Sequence, residues 1–439
     1  MKYKETVISG FELKDNPTYH PDSDEIVYAI KGTDILEKRS DSIPITKDLL
    51  SKHILLLGGI GSGKTNTFNL FLSNIRRTIS NDDIVVIFDT KGDFYDSFFR
   101  PGDIVISNDS RACGPDGKPD YWNLFREVMI DERVEENIIE MTKTLFTEKI
   151  EKSSQPFFPN AAKDLFGALM LDLIRRNGGN KDRRNNESLR NLFNSFSVSS
   201  MKKILQSHPD LMAMVSYIDD PKSGQTLGVV AELQQLVREI LVGNFAKRGN
   251  LSVRETIRNK GGRFVFVEYD LGIGSMLSPV YRLIIDLAIK EALGREKSDG
   301  NVYFIIDEFS LLPKLNHIDN GINFGRSLGA KFIVGLQNVD QMTSAYGESS
   351  ASSLLSGFST KMCFKVNDKN SREFVRGLYG ENVKHQAYTS TVNTKGLSET
   401  VRTGNVIEDK DICSLKVGEA IVCIMDNEPF KFKFSKSGS

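Results

Sequence analysis

Residues 54–65 read ILLLGGIGSGKT, a short apolar run followed directly by a glycine-rich loop. The loop has the form Gly-x-x-x-x-Gly-Lys-Thr, in which the glycines let backbone N–H groups point inward around a chain of phosphates. In this pattern Lys64 reaches the β and γ phosphates, and the hydroxyl of Thr65 ligates Mg²⁺. A helix that begins at about Lys64 adds the positive end of its dipole to the same site. The stretch therefore predicts a nucleotide ligand with Mg²⁺, and we expect ATP.

The expected nucleotide contacts lie on this loop, on the residue after it and on one later strand end. They are Gly58, Gly59, Gly61, Ser62, Gly63, Lys64, Thr65, Asn66 and Asp89. Asp89 follows the apolar run Ile84–Phe88, so it is predicted to line the site from a strand end. The four residues 89–92 also resemble the second motif of GTPases, but the chain has no Asn-Lys-x-Asp guanine motif. A guanine-nucleotide switch is therefore the weaker hypothesis.

A second apolar run, Val302–Ile306, ends in two carboxylates, Asp307 and Glu308. A buried strand of a parallel sheet delivers such acids at its carboxyl end, which is where these sheets bind ligands. We expect Asp307 to hold Mg²⁺, directly or through water. Glu308 is then expected to polarise the water that attacks the γ phosphate. Together with the glycine-rich loop, this acidic pair predicts nucleotide hydrolysis.

Two further residues suit a role in hydrolysis by their positions. Gln337 follows the apolar run 332–336. Its amide is equally suited to two roles: contacting the γ phosphate or the attacking water, and capping the end of the strand. Arg326 lies near the end of a helix predicted over 316–328. Its spacing favours a cation at a helix C-terminus. The alternative is an arginine finger inserted into a neighbouring subunit's site, a role worth roughly 10³–10⁵ in rate.

Apolar β-branched runs that alternate with helices predict an α/β fold with a mostly parallel sheet. From about residue 125 to 245 the strand-like runs give way to helical periodicity, which predicts an all-helical insertion. We therefore expect three parts. An N-terminal β segment and the first part of the nucleotide-binding domain occupy 1–125, the all-α insertion 126–245, and the second part of the domain 246–439.

Charge and cysteine usage limit the class of protein. The net charge is −1, so no whole-chain field attracts nucleic acid, and any DNA site must be a local patch or a surface shared between subunits. The run KDRRNN at 181–186 is interpreted as a solvated loop, with DNA contact the alternative. A polar stretch at 386–405 is expected to be a mobile loop. The four cysteines are scattered, which is typical of reduced thiols in a cytoplasmic protein.

The order and wording of these motifs resemble the type IV coupling proteins, the TraD, TraG and TrwB group within the FtsK/HerA class of DNA-pumping ATPases. The resemblance covers about residues 45–434. It rests on Gly58–Thr65, Phe88–Asp93, Tyr121–Phe125, Ile306–Pro313, Gly325–Gly329 and Gly335–Gln337. It implies a RecA-like P-loop core with an inserted all-α domain, assembled as a hexameric ring around DNA. It also implies that Arg326 is the finger and Gln337 the sensor.

The chain departs from the usual pattern of this family because it shows no N-terminal membrane helices. No apolar run approaches the ~18 residues that span a bilayer. We therefore expect no intrinsic membrane segment. A relative of this kind is expected to dock on a membrane partner, or to serve in DNA processing or phage defence.

Three functions stay open on the sequence. The first is an ATP-hydrolysing motor that translocates DNA as an oligomer, with DNA, further copies of itself and secretion or DNA-processing proteins as partners. The second is a nucleotide-dependent adaptor whose helical insertion recruits protein substrates. The third is a P-loop switch or kinase, which Glu308 and the missing guanine motif disfavour. Stimulation of the ATPase by DNA distinguishes the motor from the adaptor.

Overall fold

The computed structural model describes residues 2–176, 181–294, 300–389 and 397–438. The strands are β1 (Lys2–Ser9), β2 (Ile26–Thr33), β3 (Ser40–Thr46), β4 (Ile54–Leu57), β5 (Ile84–Asp89), β6 (Ile104–Ile106), β7 (Arg263–Glu268), β8 (Val302–Ile306), β9 (Ala330–Leu336), β10 (Thr360–Phe364), β11 (Glu381–Thr389), β12 (Leu397–Asn405), β13 (Glu419–Ile424) and β14 (Phe430–Phe434). The helices are α1 (Lys47–Ser51), α2 (Lys64–Thr78), α3 (Asp93–Phe98), α4 (Leu124–Val128), α5 (Val134–Lys152), α6 (Phe157–Arg176), α7 (Asn186–Ser195), α8 (Val198–Gln206), α9 (Gly224–Ile240), α10 (Val253–Asn259), α11 (Gly274–Leu293), α12 (Ile318–Phe324), α13 (Val339–Tyr346), α14 (Glu348–Ser356), α15 (Lys369–Gly377) and α16 (Asp409–Cys413).

By its internal contacts the chain divides into two compact units. The first unit comprises Met1–Ile79, Tyr303–Pro313 and Ile322–Ser439, and the second comprises Ser80–Val302 and Lys314–Gly321. The glycine-rich loop and the acidic strand end both fall in the first unit. The domain limits drawn from the sequence at 125/126 and 245/246 stay a prediction.

In the first unit, the strands of the main sheet follow the order β3-β2-β14-β13-β10-β4-β9-β8. β4 lies between β10 and β9 and is parallel to both. All four of its residues, Ile54–Leu57, are buried. Since both faces of such a strand are covered, its sequence is continuously apolar. Beyond β10, the pairs that join β13, β14, β2 and β3 are antiparallel, so the sheet is mixed.

A second sheet of the first unit corrects one expectation. β1, β11 and β12 pair antiparallel in the order β1-β11-β12. The mobile loop expected at 386–405 is therefore wrong for 386–389 and 397–405, which are strand, while 390–396 lie outside the described residues. The residues of β12, LSETVRTGN, lack the apolar alternation by which a strand is recognised, although threonine and valine favour extended backbone.

In the second unit, β5, β7 and β6 lie side by side in that order, and both pairs are parallel. Between β6 and β7 the structure has helices and, in the residues it describes, no strand element. α5 packs on α6, α6 on α9, and α11 on both α5 and α9. Over the described ranges, no helix is both long enough and apolar enough to pass through a membrane.

A cluster of ionisable side chains fixes the segment Lys314–Gly321 within the second unit. His317 Nε2 lies 3.0 Å from Glu140 Oε1 on α5, and Nδ1 lies 3.2 Å from Asp286 Oδ2 on α11. The backbone N–H of His317 donates to Asp286 Oδ1 at 2.9 Å. Burial lowers the pKa of His317, but the hydrogen bonds and charges of Asp286 and Glu140 outweigh it and raise the pKa to about 9. The ring is therefore an imidazolium at neutral pH.

This cluster predicts a pH-dependent effect of replacing His317 by glutamine. Because the folded pKa lies above the unfolded value, the stabilisation is fully present below about pH 6.5 and is lost as the pH rises through about 9. We expect His317→Gln to lower the free energy of unfolding by about 2–3 kcal/mol at pH 6 and by much less above pH 9.5. Urea unfolding at several pH values measures the difference.

The exposed His20 provides the matched control, since His20→Gln removes a histidine outside this cluster. His20→Gln should follow the wild-type stability at each pH. A cost of His317→Gln that stays constant from pH 6 to pH 9.5 would contradict the ionic role of His317.

Candidate nucleotide-binding site

The glycine-rich loop is held at the carboxyl end of β4 by backbone hydrogen bonds from both neighbouring strands. The N–H of Gly58 donates to the carbonyl of Leu336 at the end of β9, at 3.0 Å. The N–H of Gly59 donates to the carbonyl of Lys365, just after β10, at 2.9 Å. The loop therefore leaves the sheet from the edge at which parallel strands bind ligands.

The last glycine of the loop is required by both backbone geometry and space. Gly63 has a φ of 112°, in the left-handed region that side chains disfavour. A Cβ at Gly63 would lie 2.8 Å from the backbone nitrogen of Gly418. That same N–H of Gly418 donates to the carbonyl of Ser62 at 2.9 Å. A turn far away in sequence thus packs directly on the loop, so a larger residue at 63 would displace it.

The donors inside the loop fit a phosphate group. The ammonium of Lys64 is buried and donates to the carbonyl of Gly58, and it lies 3.3 Å from the carbonyl of Gly59. The hydroxyl of Ser62 is buried and has no hydrogen-bond partner among the described residues. A buried polar group without a partner is costly. A phosphate oxygen in the loop would give the Ser62 hydroxyl a partner and would lie beside the Lys64 ammonium.

The acidic strand end places Glu308 in contact with Gln337. Glu308 Oε2 accepts a hydrogen bond from Gln337 Nε2 at 2.5 Å, and Glu308 Oε1 accepts one from Ser310 Oγ at 2.6 Å. Both carboxylate oxygens are thus oriented by neighbouring side chains. Gln337 is the residue after Leu336, whose carbonyl binds the first glycine of the loop. The predicted base, the predicted sensor and the loop therefore meet at the end of β9.

Gly335 on β9 allows the acidic strand and the loop helix to come close together. A Cβ at Gly335 would lie 2.1 Å from the carbonyl oxygen of Asp307 and 3.0 Å from Phe68 Cε2 on α2. Since no side chain fits between these atoms, only glycine permits this approach. Asp307 follows directly after β8 and is partly exposed. The backbone of the predicted metal ligand is thereby placed next to the helix that begins at Lys64.

The structure places the remaining predicted nucleotide contacts differently. The amide of Asn66 donates to the carbonyl of Ser435, and its Oδ1 accepts from the N–H of Ser437, both at 2.8 Å. This side chain therefore joins α2 to the segment after β14. Asp89 lies in the second unit, where its buried carboxylate accepts four backbone N–H groups from residues 91–95. The contacts of Asn66 and Asp89 with a nucleotide stay predictions.

Arg326 is an exposed residue of the 3₁₀ helix Gly325–Leu328, which follows α12. Its guanidinium pairs with Asp48 on α1, with Nη2 2.8 Å from Asp48 Oδ1. Both side chains are more than half exposed, so the pair contributes little to stability. The guanidinium is thus available on the surface of the first unit. Its role as a finger in another subunit's site stays a prediction.

Two residues of this site were missed in the sequence. Ser310 orients Glu308 from two positions further along, within a 3₁₀ turn that no periodicity indicates. Gly418 packs against Gly63 from the turn before β13. No short-range pattern links positions so far apart, so only a structure shows that contact.

The chain is similar in sequence to proteins of one known family. Residues 39–433 match the family model described as "Type IV secretion-system coupling protein DNA-binding domain". The chain is 24% identical over 387 residues to the coupling protein TraD of Escherichia coli K12, covering 85% of this chain and 49% of TraD. It is 24% identical over 286 residues to the coupling protein VirD4 of Bartonella henselae, covering 62% of this chain and 44% of VirD4. The chain thus spans about half the length of these relatives.

Among solved structures, the fold is similar to that of the plasmid coupling protein TrwB in complex with ADP and Mg²⁺. The TM-score is 0.70 at 16% identity, over 90% of this chain and 87% of that one. This likeness confirms the predicted RecA-like α/β fold. Because the family model matches most of its length, the chain belongs to the family of type IV secretion-system coupling proteins.

Proposed function

We propose that the chain is an ATP-hydrolysing motor that translocates DNA as an oligomeric, hexameric ring. The observation that carries the proposal is the hydrogen bond between Glu308 and Gln337, one residue from the carbonyl of Leu336 that anchors the glycine-rich loop. Relatives of this family include TrwB, solved with ADP and Mg²⁺. The proposal gives this chain the same ligands, with ATP as substrate, and a cytoplasmic location.

In the proposed mechanism each residue of the first unit has one task. The backbone of the loop and Lys64 bind the phosphates, and Thr65 and Asp307 would hold Mg²⁺, which would offset part of the phosphate charge. Glu308 orients and deprotonates the attacking water, while Gln337 holds the Glu308 carboxylate in place. Arg326 of a neighbouring subunit offsets the charge that develops on the γ phosphate.

The partners in this proposal are DNA, further copies of the chain and proteins of a secretion or DNA-processing system. The family name, a DNA-binding domain of coupling proteins, supports the first of these. The adaptor hypothesis shares the nucleotide site but needs no DNA. The response of the ATPase to DNA therefore decides between them.

We expect the ATPase rate per subunit to rise with protein concentration, because a shared site forms only in the oligomer, and to rise further when DNA is added. The measurement is phosphate release across a protein titration, with no DNA and with single- or double-stranded DNA. Lys64→Ala is the control, since loss of the ammonium removes phosphate binding and should abolish turnover. A rate that depends on protein concentration but ignores both kinds of DNA would favour the adaptor.

Replacing Glu308 by glutamine is expected to lower the turnover number by about 10²–10⁴ with ATP binding retained, because the general base is lost while the loop is intact. Turnover and the affinity for a fluorescent ATP analogue measure the two effects separately. Glu381→Gln is the matched control, since Glu381 is an exposed residue of β11. Normal turnover by Glu308→Gln would show that Glu308 is not the general base.

Replacing Arg326 by alanine is expected to lower turnover by roughly 10²-fold or more if the residue acts as a finger. Mixing this variant with Lys64→Ala should restore part of the activity, because Lys64→Ala subunits still supply Arg326 to intact loops next to them. Asp48→Asn is the control, since it breaks the local ion pair and leaves the guanidinium in place. Equal losses in Arg326→Ala and Asp48→Asn, without rescue on mixing, would assign Arg326 a purely local role.

A further inference from the structure

The second unit contains a cavity of about 550 Å³ that is lined by arginine side chains from four separate segments of the chain. They are Arg126, Arg184, Arg248 and Arg258. Two carboxylates, those of Asp182 and Glu255, also line it. Four arginines and two acidic residues therefore line the cavity, so its lining carries more positive than negative charge although the net charge of the whole chain is −1.

The cavity wall is held together by buried amides. The side chain of Asn123 donates to the carbonyls of Arg184, at 3.0 Å, and Gly249, at 2.8 Å, so it joins two of the arginine-bearing segments. The buried amide of Asn186 donates to two further backbone carbonyls, at 2.8 and 2.9 Å. Because the fold itself fixes these segments, little ordering remains to be done when a ligand binds.

Two of the arginines have partners that they can exchange. Arg126 Nη1 lies 3.4 Å from Glu255 Oε2, and these side chains are 48% and 47% exposed. Arg248 pairs with Asp182, and these side chains are 57% and 74% exposed. Exposed ion pairs of this kind contribute little, since water and salt compete with them. Arginine binds phosphate through two parallel N–H groups, so a phosphate can replace either carboxylate.

A third arginine is held in place from behind. Arg258 Nε pairs with Glu291 Oε1 at 2.5 Å, and its Nη1 donates to the carbonyl of Ile130 at 3.2 Å. The Glu291 side chain is 7% exposed, so this partner is not exchangeable with solvent. Arg258 Nη2 also lies 3.6 Å from Asp131 Oδ2, so the charge of Arg258 is offset by two carboxylates and its part is to hold the cavity wall in place.

We propose that this cavity binds phosphate groups of a DNA backbone, with Arg126 and Arg248 leaving Glu255 and Asp182 to contact them. Guanidinium groups carried by several segments around one cavity match a polymer that carries a phosphate at every step. The run at 181–186, interpreted from the sequence as a solvated loop, contributes Arg184 to the wall. The inference rests on the proposed function, because it assigns a contact surface to the same motor.

The experiment compares DNA binding by the wild type and by Arg126→Ala/Arg248→Ala. Fluorescence anisotropy of labelled single- and double-stranded DNA is measured from 50 to 300 mM salt, at protein concentrations where the ATPase has reached its plateau. Arg190→Ala/Arg238→Ala is the matched control, since both residues are exposed arginines of the second unit outside the cavity. ATPase rates without DNA, which do not depend on the cavity, report that each variant is folded.

We expect the cavity variant to bind DNA at least about tenfold more weakly and to lower the salt slope by about 2, one for each lost phosphate contact. The control variant should match the wild type in both quantities. Inorganic phosphate at millimolar concentration should compete only weakly, because the affinity comes from several linked phosphates. Full competition by inorganic phosphate would show a single-anion site and overturn the DNA assignment.

A second double variant tests whether phosphate replaces the carboxylates. Its expected effect on DNA affinity is opposite to that of the arginine variant. Asp182→Asn/Glu255→Gln removes the carboxylates that compete with phosphate, so it should bind DNA about two- to fivefold more tightly than the wild type. An ion-pair cluster with a purely structural role predicts no such gain. Unchanged or weaker binding by this variant would therefore count against the proposal even if the arginine variant failed to fold.

The remaining outcomes separate this inference from the proposed function. If the wild type and the arginine variant bind DNA with equal affinity and salt slope, the cavity is not a DNA contact and the motor proposal stands. If the arginine variant loses only the binding of a labelled polyglutamate peptide, the occupant is an acidic protein segment and the inference is wrong. If the cavity binds DNA as expected but DNA leaves the ATPase unchanged, the motor proposal fails instead. A wild type that binds no DNA overturns both.

Discussion

The position of the glycine-rich loop depends on backbone hydrogen bonds to strands that are distant in sequence. Gly58 donates to the carbonyl of Leu336, the last residue of β9, and Gly59 to that of Lys365, just after β10; these two strands flank β4. Backbone groups have fixed geometry, so these bonds set where the loop stands relative to both neighbouring strand ends. The orientation of Glu308 depends on the same strand end, because its partner Gln337 directly follows Leu336.

The carboxylate of Glu308 and the amide of Gln337 meet because both residues follow strands that end at the same edge of the sheet. β8 and β9 are neighbours, and the residues just beyond them are Asp307, Glu308 and Gln337. The amide donates to one oxygen of Glu308 and leaves the carboxylate with room for further acceptor contacts. A water molecule activated by Glu308 would thus be oriented by a residue that is itself tied to the phosphate loop through Leu336. In the proposed mechanism, phosphate binding and water activation would therefore depend on the same strand end, that of β9.

The parts of this site that depend on local sequence patterns could be predicted from the sequence. The loop, the helix from Lys64 and the apolar strand ends all follow from short motifs and from burial on both faces of a sheet. Two kinds of feature could not be predicted from the sequence. β11 and β12 consist largely of polar residues and carry little apolar alternation, and β3 has it only at Ile43 and Ile45. Contacts such as that of Gly418 with Gly63 join positions with no common periodicity, and only the folded chain brings them together.

The place of β4 in the sheet also bears on how the protein is made. A ribosome releases β4 long before β9, β10 and β14, although the first two flank it and the segment after β14 binds Asn66 on the loop helix. Until those strands emerge, four consecutive apolar residues have open backbone edges on both sides, which is a template for wrong pairing. Correct pairing of β4 is therefore expected only after β9 and β10 have left the ribosome, so most of the chain is synthesised before the glycine-rich loop is fixed in place.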